Sequence, residues 1–316
     1  MTKSLLSLLL AACFCCLFAT HTYAQLKPHK QDKKLQQALE SLLNGFKGTA
    51  GVYVYNLKTQ KEASVNADTI FPTASIVKVP ILVGVFNKIE KGELGYHQPF
   101  LYRDSLSSGG SGLMQFFKDS TKTDLSTMLA LMISYSDNTT ALWNQSLAGG
   151  GEQINKLMDQ YGLQDTRVNS RTPGREQDRK RFGWGQTTPR EMAELLVKIR
   201  EKQVVSPAAS ERMYRLLSNI YYDEYALSEI PPYVQYAAKQ GMVNDSRSEL
   251  LMVNAPHGDY VCYIGTKNLE DRRWKSDNAA WELARKVSAF LWQYFEPKSD
   301  WHPAAGAAKY MEGLEY

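Results

Sequence analysis

The chain has 316 residues, a formal charge of +4, 43% hydrophobic residues and 22% charged residues. That balance points to one large domain, or two closely packed ones, around an enzyme-sized core, and excludes a disordered chain. The mild charge comes with no aromatic-interleaved basic stripe and no nucleic-acid motif, so nucleic acid is not an expected partner.

Residues 1–24 read as a targeting segment. Lys3 gives a positive start, Leu5 to Phe18 is a nearly unbroken apolar run, and Thr22-Tyr23-Ala24 resembles a small-residue cleavage site before Gln25. The run is short for a retained anchor. A periplasmic or secreted protein, without stable membrane insertion once the signal is removed, is therefore expected. Lipidation is the alternative, because Leu10-Ala11-Ala12-Cys13 resembles a lipobox, although Phe14 to Phe18 would leave apolar sequence just after Cys13. Cys13, Cys15 and Cys16 all fall in this segment. Only Cys262 would remain after cleavage, in the apolar run Tyr260 to Ile264, so no intrachain disulfide is expected and Cys262 reads as a core residue.

Lys33 to Phe46 has the periodicity of an amphipathic helix, with Leu35, Leu39, Leu42, Leu43 and Phe46 on one side. Val52 and Val54 alternate in a strand, and a second strand is predicted near Glu62 to Val65. A helix follows Pro72 and runs to about Lys91. Gly109 to Gly112 is a loop. Leu125, Met128, Leu129, Met132 and Ile133 define a helix ending at Ser136-Asp137-Asn138, and Gly149-Gly150-Gly151 breaks the next one. Thr187-Thr188-Pro189 is the capped start of a helix to Arg200. Three strands follow, at Val234 to Val243, Glu249 to Asn254 and Tyr260 to Thr266, the last two joined by a turn at Ala255 to Asp259. Ala280 to Tyr294 closes the chain as a helix, and residues after Pro297 read as a loose tail. Two strands, a helical middle, three strands and a helix make an α+β arrangement.

Ser75-Ile76-Val77-Lys78, Ser136-Asp137-Asn138 and Lys239-Gln240-Gly241 carry the chemistry. A serine hydroxyl needs a nearby base to become a nucleophile. Ser75 and Lys78, three residues apart, share one face of a helix. The lysine serves as a base only when desolvation or a second cation lowers its pKa. The apolar residues after Ser75 supply the first, and Lys239 is placed to supply the second. Resemblance to known serine hydrolases implies that Ser136 relays a proton to the leaving group and that Asn138 binds the amide of the acyl side chain.

These three elements, in this order and spacing, resemble the active-site set of the class A β-lactamases and penicillin-binding proteins. Phe71-Pro72-Thr73-Ala74 before Ser75, and Met132-Ile133-Ser134-Tyr135 before Ser136, fit the same family. The resemblance spans about residues 31 to 296. It implies a five-stranded antiparallel sheet flanked by helices, with residues 25–72 and 218–297 forming an α/β lobe. An all-helical lobe at 73–217 would be inserted, with a tail at 298–316. The active site would lie between the lobes, with the oxyanion hole formed by the N–H groups of Ser75 and Met242. The implied substrate is a β-lactam or a peptidoglycan stem peptide, and a monomer is expected.

Two departures stand out. Gln240 replaces the family's Thr or Ser, whose hydroxyl contacts the substrate carboxylate. Arg247 is then either a compensating carboxylate ligand or an exposed arginine on an edge strand. The loop from Asn169 to Gln186 also lacks the family's E-x-x-L-N. Gapless alignment puts Thr172 at the glutamate position and Glu176 at the asparagine position, while Ser170 and Gly185 occupy the places of the usual Arg–Asp bridge. Glu176 is then either a substitute base for deacylation or a solvated acid among Arg171, Arg175, Arg179, Lys180 and Arg181.

Other chemistries have no comparable pattern. No G-x-S-x-G elbow, H-E-x-x-H or spaced Cys/His cluster occurs, and His29, His97, His257 and His302 are scattered. No metal or cofactor is expected. A β-lactamase-type hydrolase is the leading reading, a D,D-peptidase or penicillin-binding protein the second, and a non-catalytic binding protein the third.

Overall fold

The computed structural model describes residues 29–304. The targeting segment, Cys13 and residues 305–316 of the tail lie outside the described residues. The main sheet contains β1 (Lys30–Gln31), β2 (Thr49–Asn56), β3 (Lys61–Val65), β4 (Tyr236–Val243), β5 (Ser246–Val253) and β6 (Tyr260–Lys267). Their order is β1-β3-β2-β6-β5-β4. The last five strands in chain order pair antiparallel, as expected. The two-residue β1 adds a parallel sixth strand at the edge beside β3. Nearly every residue of β2, β5 and β6 is buried, including Cys262, because helices cover both faces.

The helices are α1 (Lys33–Leu43), α2 (Lys78–Glu90), α3 (Leu125–Ser134), α4 (Asn138–Leu147), α5 (Gly150–Gln160), α6 (Glu176–Phe182), α7 (Pro189–Arg200), α8 (Pro207–Leu217) and α9 (Ala279–Phe295). Capping fixes several starts. Asp32, Asp124 and Thr188 each accept a backbone N–H from the first turn, and Pro189 follows Thr188 where its missing N–H costs nothing. Helix α1 packs on β3 and α9, whereas α7 packs on β2, β5 and β6. Thus α7, inside the segment 73–217 read as the inserted lobe, covers the sheet. Helix α2 is buried from Lys78 to Phe86 and touches α3, α4, α5 and α8, making it the axis of the helical region.

Side-chain alternation explains how the sheet receives the segment around Ser75. Gly51, Gly265, Ser248 and Gly241 align across four neighbouring strands on one face. They form a furrow of small residues in which residues 71–75 lie. A β-carbon on Gly51 would meet the Phe71 ring at 2.6 Å, and one on Gly241 would meet the Thr73 carbonyl at 2.4 Å and Ser75 N at 2.8 Å. Glycine inside these strands marks the close approach of another backbone.

Candidate active site

Residues Phe71–Pro72 pair with the strand Gly185–Thr187, which pairs in turn with Arg167–Val168. This ribbon fixes the approach to Ser75. Ala74 adopts a left-handed conformation with φ 44°, and Ser75 sits in a single 3-10 turn, Ala74–Val77. The α-helix expected after Pro72 begins only at Lys78. Strain in the residue before a reactive serine is tolerated where the surroundings hold it. Here the furrow does so.

Lys78 is completely buried. Its amine lies 2.9 Å from Ser75 Oγ, 3.0 Å from Ser136 Oγ and 2.9 Å from Asn138 Oδ1, and it also donates to the Ser136 carbonyl. Two hydroxyls and one amine therefore meet at hydrogen-bond distance, which is the geometry of a proton relay.

The Ser136 turn is held by its neighbour. Asp137 caps α4: one oxygen accepts Thr140 N at 2.7 Å and Thr140 Oγ1 at 3.0 Å. The other accepts Leu113 N at 2.6 Å and Met114 N at 2.7 Å, tying down the glycine-containing loop. Ser136 is left-handed, with φ 53°. Asn138 N donates to the Ser111 carbonyl at 2.9 Å, and its amide donates to Gly109 O at 3.1 Å. Composition gives no sign of this role for Asp137; the signal is an acid between two site residues at the N-cap of a helix.

On β4, Lys239 is fully buried and donates to the Gln240 carbonyl at 3.1 Å. Val243 and Ser246 flank a two-residue turn, so that pair exchanges both hydrogen bonds and alternate pairs follow suit. The backbone N–H and C=O groups of Gln240 and Met242 consequently point off the free edge of β4 toward the cleft. That placement suits Met242 N for an oxyanion hole with Ser75 N.

Burial, then the positive charge of Lys239, hold the Lys78 pKa well below the usual lysine value, with Asp137 opposing. Burial lowers Lys239 to about 7, against a weaker pull upward from Glu249. Glu249, on the other face of the sheet, is raised to about 8 by burial although it accepts Ala226 N at 2.7 Å. Desolvation shifts this amine toward the neutral form that general-base activation of a neighbouring serine hydroxyl requires.

Ser75, Ser136, Asn138, Gln240, Gly241 and Met242 line a cleft of about 550 Å³. Gly110, Ser111, Tyr222 and Trp274 complete its wall. Sequence reasoning did not find Tyr222 and Trp274, which lie in irregular polar segments where no periodicity marks them.

A family model described as the β-lactamase enzyme family matches residues 34–295. The chain belongs to that family. It is similar to the β-lactamase VEB-1 of Pseudomonas aeruginosa, 21% identical over 290 residues, covering 88% of this chain and 95% of the relative. The solved structure of PBP-A is 27% identical, covers 86% of this chain and 100% of its own, and superposes with a TM-score of 0.76. A mutant of PBP-A has been solved as an acyl-enzyme complex with penicillin G. A β-lactamase from Sphaerobacter thermophilus, 20% identical over 83% of this chain and 96% of its own, shares the fold with a TM-score of 0.73.

In a protein of the β-lactamase family, the loop before α7 is of direct interest. Thr172, aligned with the usual glutamate, is buried; its hydroxyl donates to the Ser170 carbonyl at 2.9 Å. It packs so closely on α5 that a β-carbon on Gly151 would lie 1.8 Å from Thr172 Oγ1. Glu176 is exposed at the start of α6, and its carboxylate accepts Gly174 N at 3.1 Å. It is not among the residues that line the cleft, a placement that suits the solvated acid of the two alternatives. Arg175 clamps the loop, donating to Asn169 Oδ1 and Gln186 Oε1, both at 2.8 Å.

Arg247 also differs from both expectations. It is neither at the cleft nor exposed, with 2% accessibility. Its guanidinium donates to the carbonyls of Asn244, Ser246 and Arg273, under the Trp274 ring. The short β4–β5 hairpin turns it toward the loop before α9. Gln240 alternates away from Lys239 and donates to the Tyr222 carbonyl. Among the described residues, no group of His, Cys, Asp and Glu could hold a metal ion, and no helix is long and apolar enough to cross a membrane.

Proposed function

We propose that this protein is an exported serine hydrolase that opens β-lactam amides through a covalent acyl-Ser75 intermediate and releases the product slowly. The observation that carries the reading is the buried amine of Lys78, within 3.0 Å of the hydroxyls of both Ser75 and Ser136. In acylation, Ser75 Oγ forms a bond to the lactam carbonyl carbon and its proton passes to the neutral Lys78 amine. The tetrahedral oxyanion takes hydrogen bonds from Ser75 N and Met242 N. The C–N bond then breaks, and the leaving nitrogen receives a proton through Ser136. In release, water adds to the ester carbon, the C–Oγ bond breaks, and the proton returns to Ser75.

Acylation and release place different demands on the site. Release needs a base for water, and none of the described residues lining the cleft is a carboxylate. That same observation favours a second reading, a D,D-peptidase acting on peptidoglycan stem peptides, for which a β-lactam would be a slowly released inhibitor.

Mixing the purified protein with a chromogenic cephalosporin, while following colour and intact mass, tests both. A stoichiometric burst with a persistent adduct on Ser75 is expected. Continuous rapid turnover would overturn slow release, and absence of an adduct would leave the binding-protein reading. Release of D-alanine from a stem-peptide mimic would select the peptidase.

A further inference from the structure

Residues 218–235 carry the chain from α8 to β4 with a single 3-10 turn, Ala226–Glu229, as regular structure. This segment is fastened on both sides of its crossing. On the helical side, Tyr221 N donates to the Ser134 carbonyl at 3.1 Å, and the Tyr221 ring stacks on Tyr135 with centroids 5.2 Å apart. Tyr222 OH lies 3.3 Å from Ser111 Oγ. On the sheet side, the Gln240 amide donates to the Tyr222 carbonyl, and Glu249 accepts Ala226 N at 2.7 Å. Gln240 and Glu249 stand directly opposite each other on β4 and β5, so both side chains leave the face where Gly241 meets Ser75. The segment is thus a strap from the helical region to the sheet, and Tyr222 within it lines the cleft.

Gln240 is 4% exposed. Burying a primary amide costs free energy unless its polar atoms are paired. Its Oε1 has no partner among the described residues, so the bond to the Tyr222 carbonyl is what offsets that cost. A residue selected there for bulk alone would be apolar. A Thr or Ser hydroxyl, which the family resemblance leads one to expect at this position, would end well short of the same carbonyl.

We propose that Gln240 is a positioning residue: by holding the Tyr222 carbonyl it sets where Tyr222 meets the acyl donor, and so governs how tightly the donor binds. This rests on the acyl-Ser75 reading, and the test separates the two. The rate at which benzylpenicillin adds its mass to Ser75 is measured over a range of concentrations, giving a half-saturating concentration and a limiting rate. Gln240→Met removes the donor at similar volume, and Gln240→Asn keeps an amide that is too short to reach. Both leave the backbone N–H and C=O of residue 240 at the β4 edge. Each is expected to raise the half-saturating concentration about five- to tenfold, the size of a lost aromatic contact, with a smaller change in the limiting rate.

A half-saturating concentration unchanged in either variant overturns the proposal, as does a limiting rate that falls by the same factor as binding weakens. Both results leave the acyl-Ser75 reading intact. No adduct on the parent protein removes that reading and this inference with it. Tyr222→Ala provides the second arm. In that background Gln240→Met should change the half-saturating concentration by less than about twofold, because the side chain it positions is gone. An undiminished effect there would mean that Gln240 touches the donor itself, and would overturn the positioning role.

Discussion

The Lys78 centre and the loop between Val168 and Thr188 are equally well bonded, yet only in the first do the bonds meet at one amine beside two hydroxyls. Around Lys78, a single amine donates to the Ser75 hydroxyl, to the Ser136 turn and to Asn138. In the loop, bonds of similar quality run sideways. Gln145 and Ser170 exchange two, Asn155 and Val168 two more, and Arg175 clamps Asn169 to Gln186. Order alone therefore says little about catalysis. What distinguishes the centre is that its polar groups share a reactive neighbour.

The sharpest way to break that contrast is Lys78→Met. Methionine fills much the same volume but carries no base, so adduct formation on Ser75 should fall about 10³-fold. The variant also leaves the Ser136 carbonyl and Asn138 Oδ1 without their buried donor, so a loss of about 1–3 kcal/mol of stability is expected. Unchanged acylation, read by intact mass, would show that some other group takes the Ser75 proton.

Lys239→Met extends the argument to the second amine and gives it a pH signature. In the folded protein Lys239 loses its proton at about 7, against 10.5 for the ordinary side chain. Between those values the unfolded chain binds more protons, so stability of the parent rises with pH. The cost of burying the charge is fully present below pH 7. The variant should therefore be more stable than the parent there, by on the order of 2 kcal/mol. That advantage should shrink toward pH 10.5. Denaturation midpoints of both proteins across this range check the sign, and an advantage that grows with pH would refute it.

Much of this division was legible in the sequence. Ser75, Lys78, Ser136 and Asn138 were readable because their residue types and spacing match one pattern together. The strands and the long helices were readable because burial imposes a period. The furrow under Ser75 was available in principle, since Gly51, Gly241 and Gly265 each interrupt a strand, but only the register shows that they align. Helix α8 went unread, although Ser206 and Pro207 mark its start as Thr188 and Pro189 mark that of α7. The directions of Arg247 and Glu176 were not legible. Each depends on which way a short turn faces, and a long polar side chain satisfies many environments.

Arg175→Ala sharpens the comparison from the loop side. It removes two charge-assisted bonds across the loop and the ion pair to Asp178. A loss of about 1–2 kcal/mol is expected from a partly exposed group of this kind. Amide exchange should accelerate within residues 168–187, while acylation of Ser75 stays within a factor of two. A large acylation defect would mean that the loop supports the centre more directly than its bonding suggests.

Glu176→Gln is the smallest expected effect and the closest test of the loop's silence. The carboxylate is exposed, accepts a bond from Gly174 N within its own turn, and belongs to a run of basic residues already in solvent. Glutamine keeps that acceptor and removes only the charge. Decay of the acyl-Ser75 adduct, followed by intact mass after excess β-lactam is removed, should be the same in variant and parent. A water-activating carboxylate would contribute at least about 10²-fold to that step, so even a partial role would be plain. Slower decay in the variant would put Glu176 within reach of the ester after all, and would require the start of α6 to move toward the cleft once Ser75 is acylated.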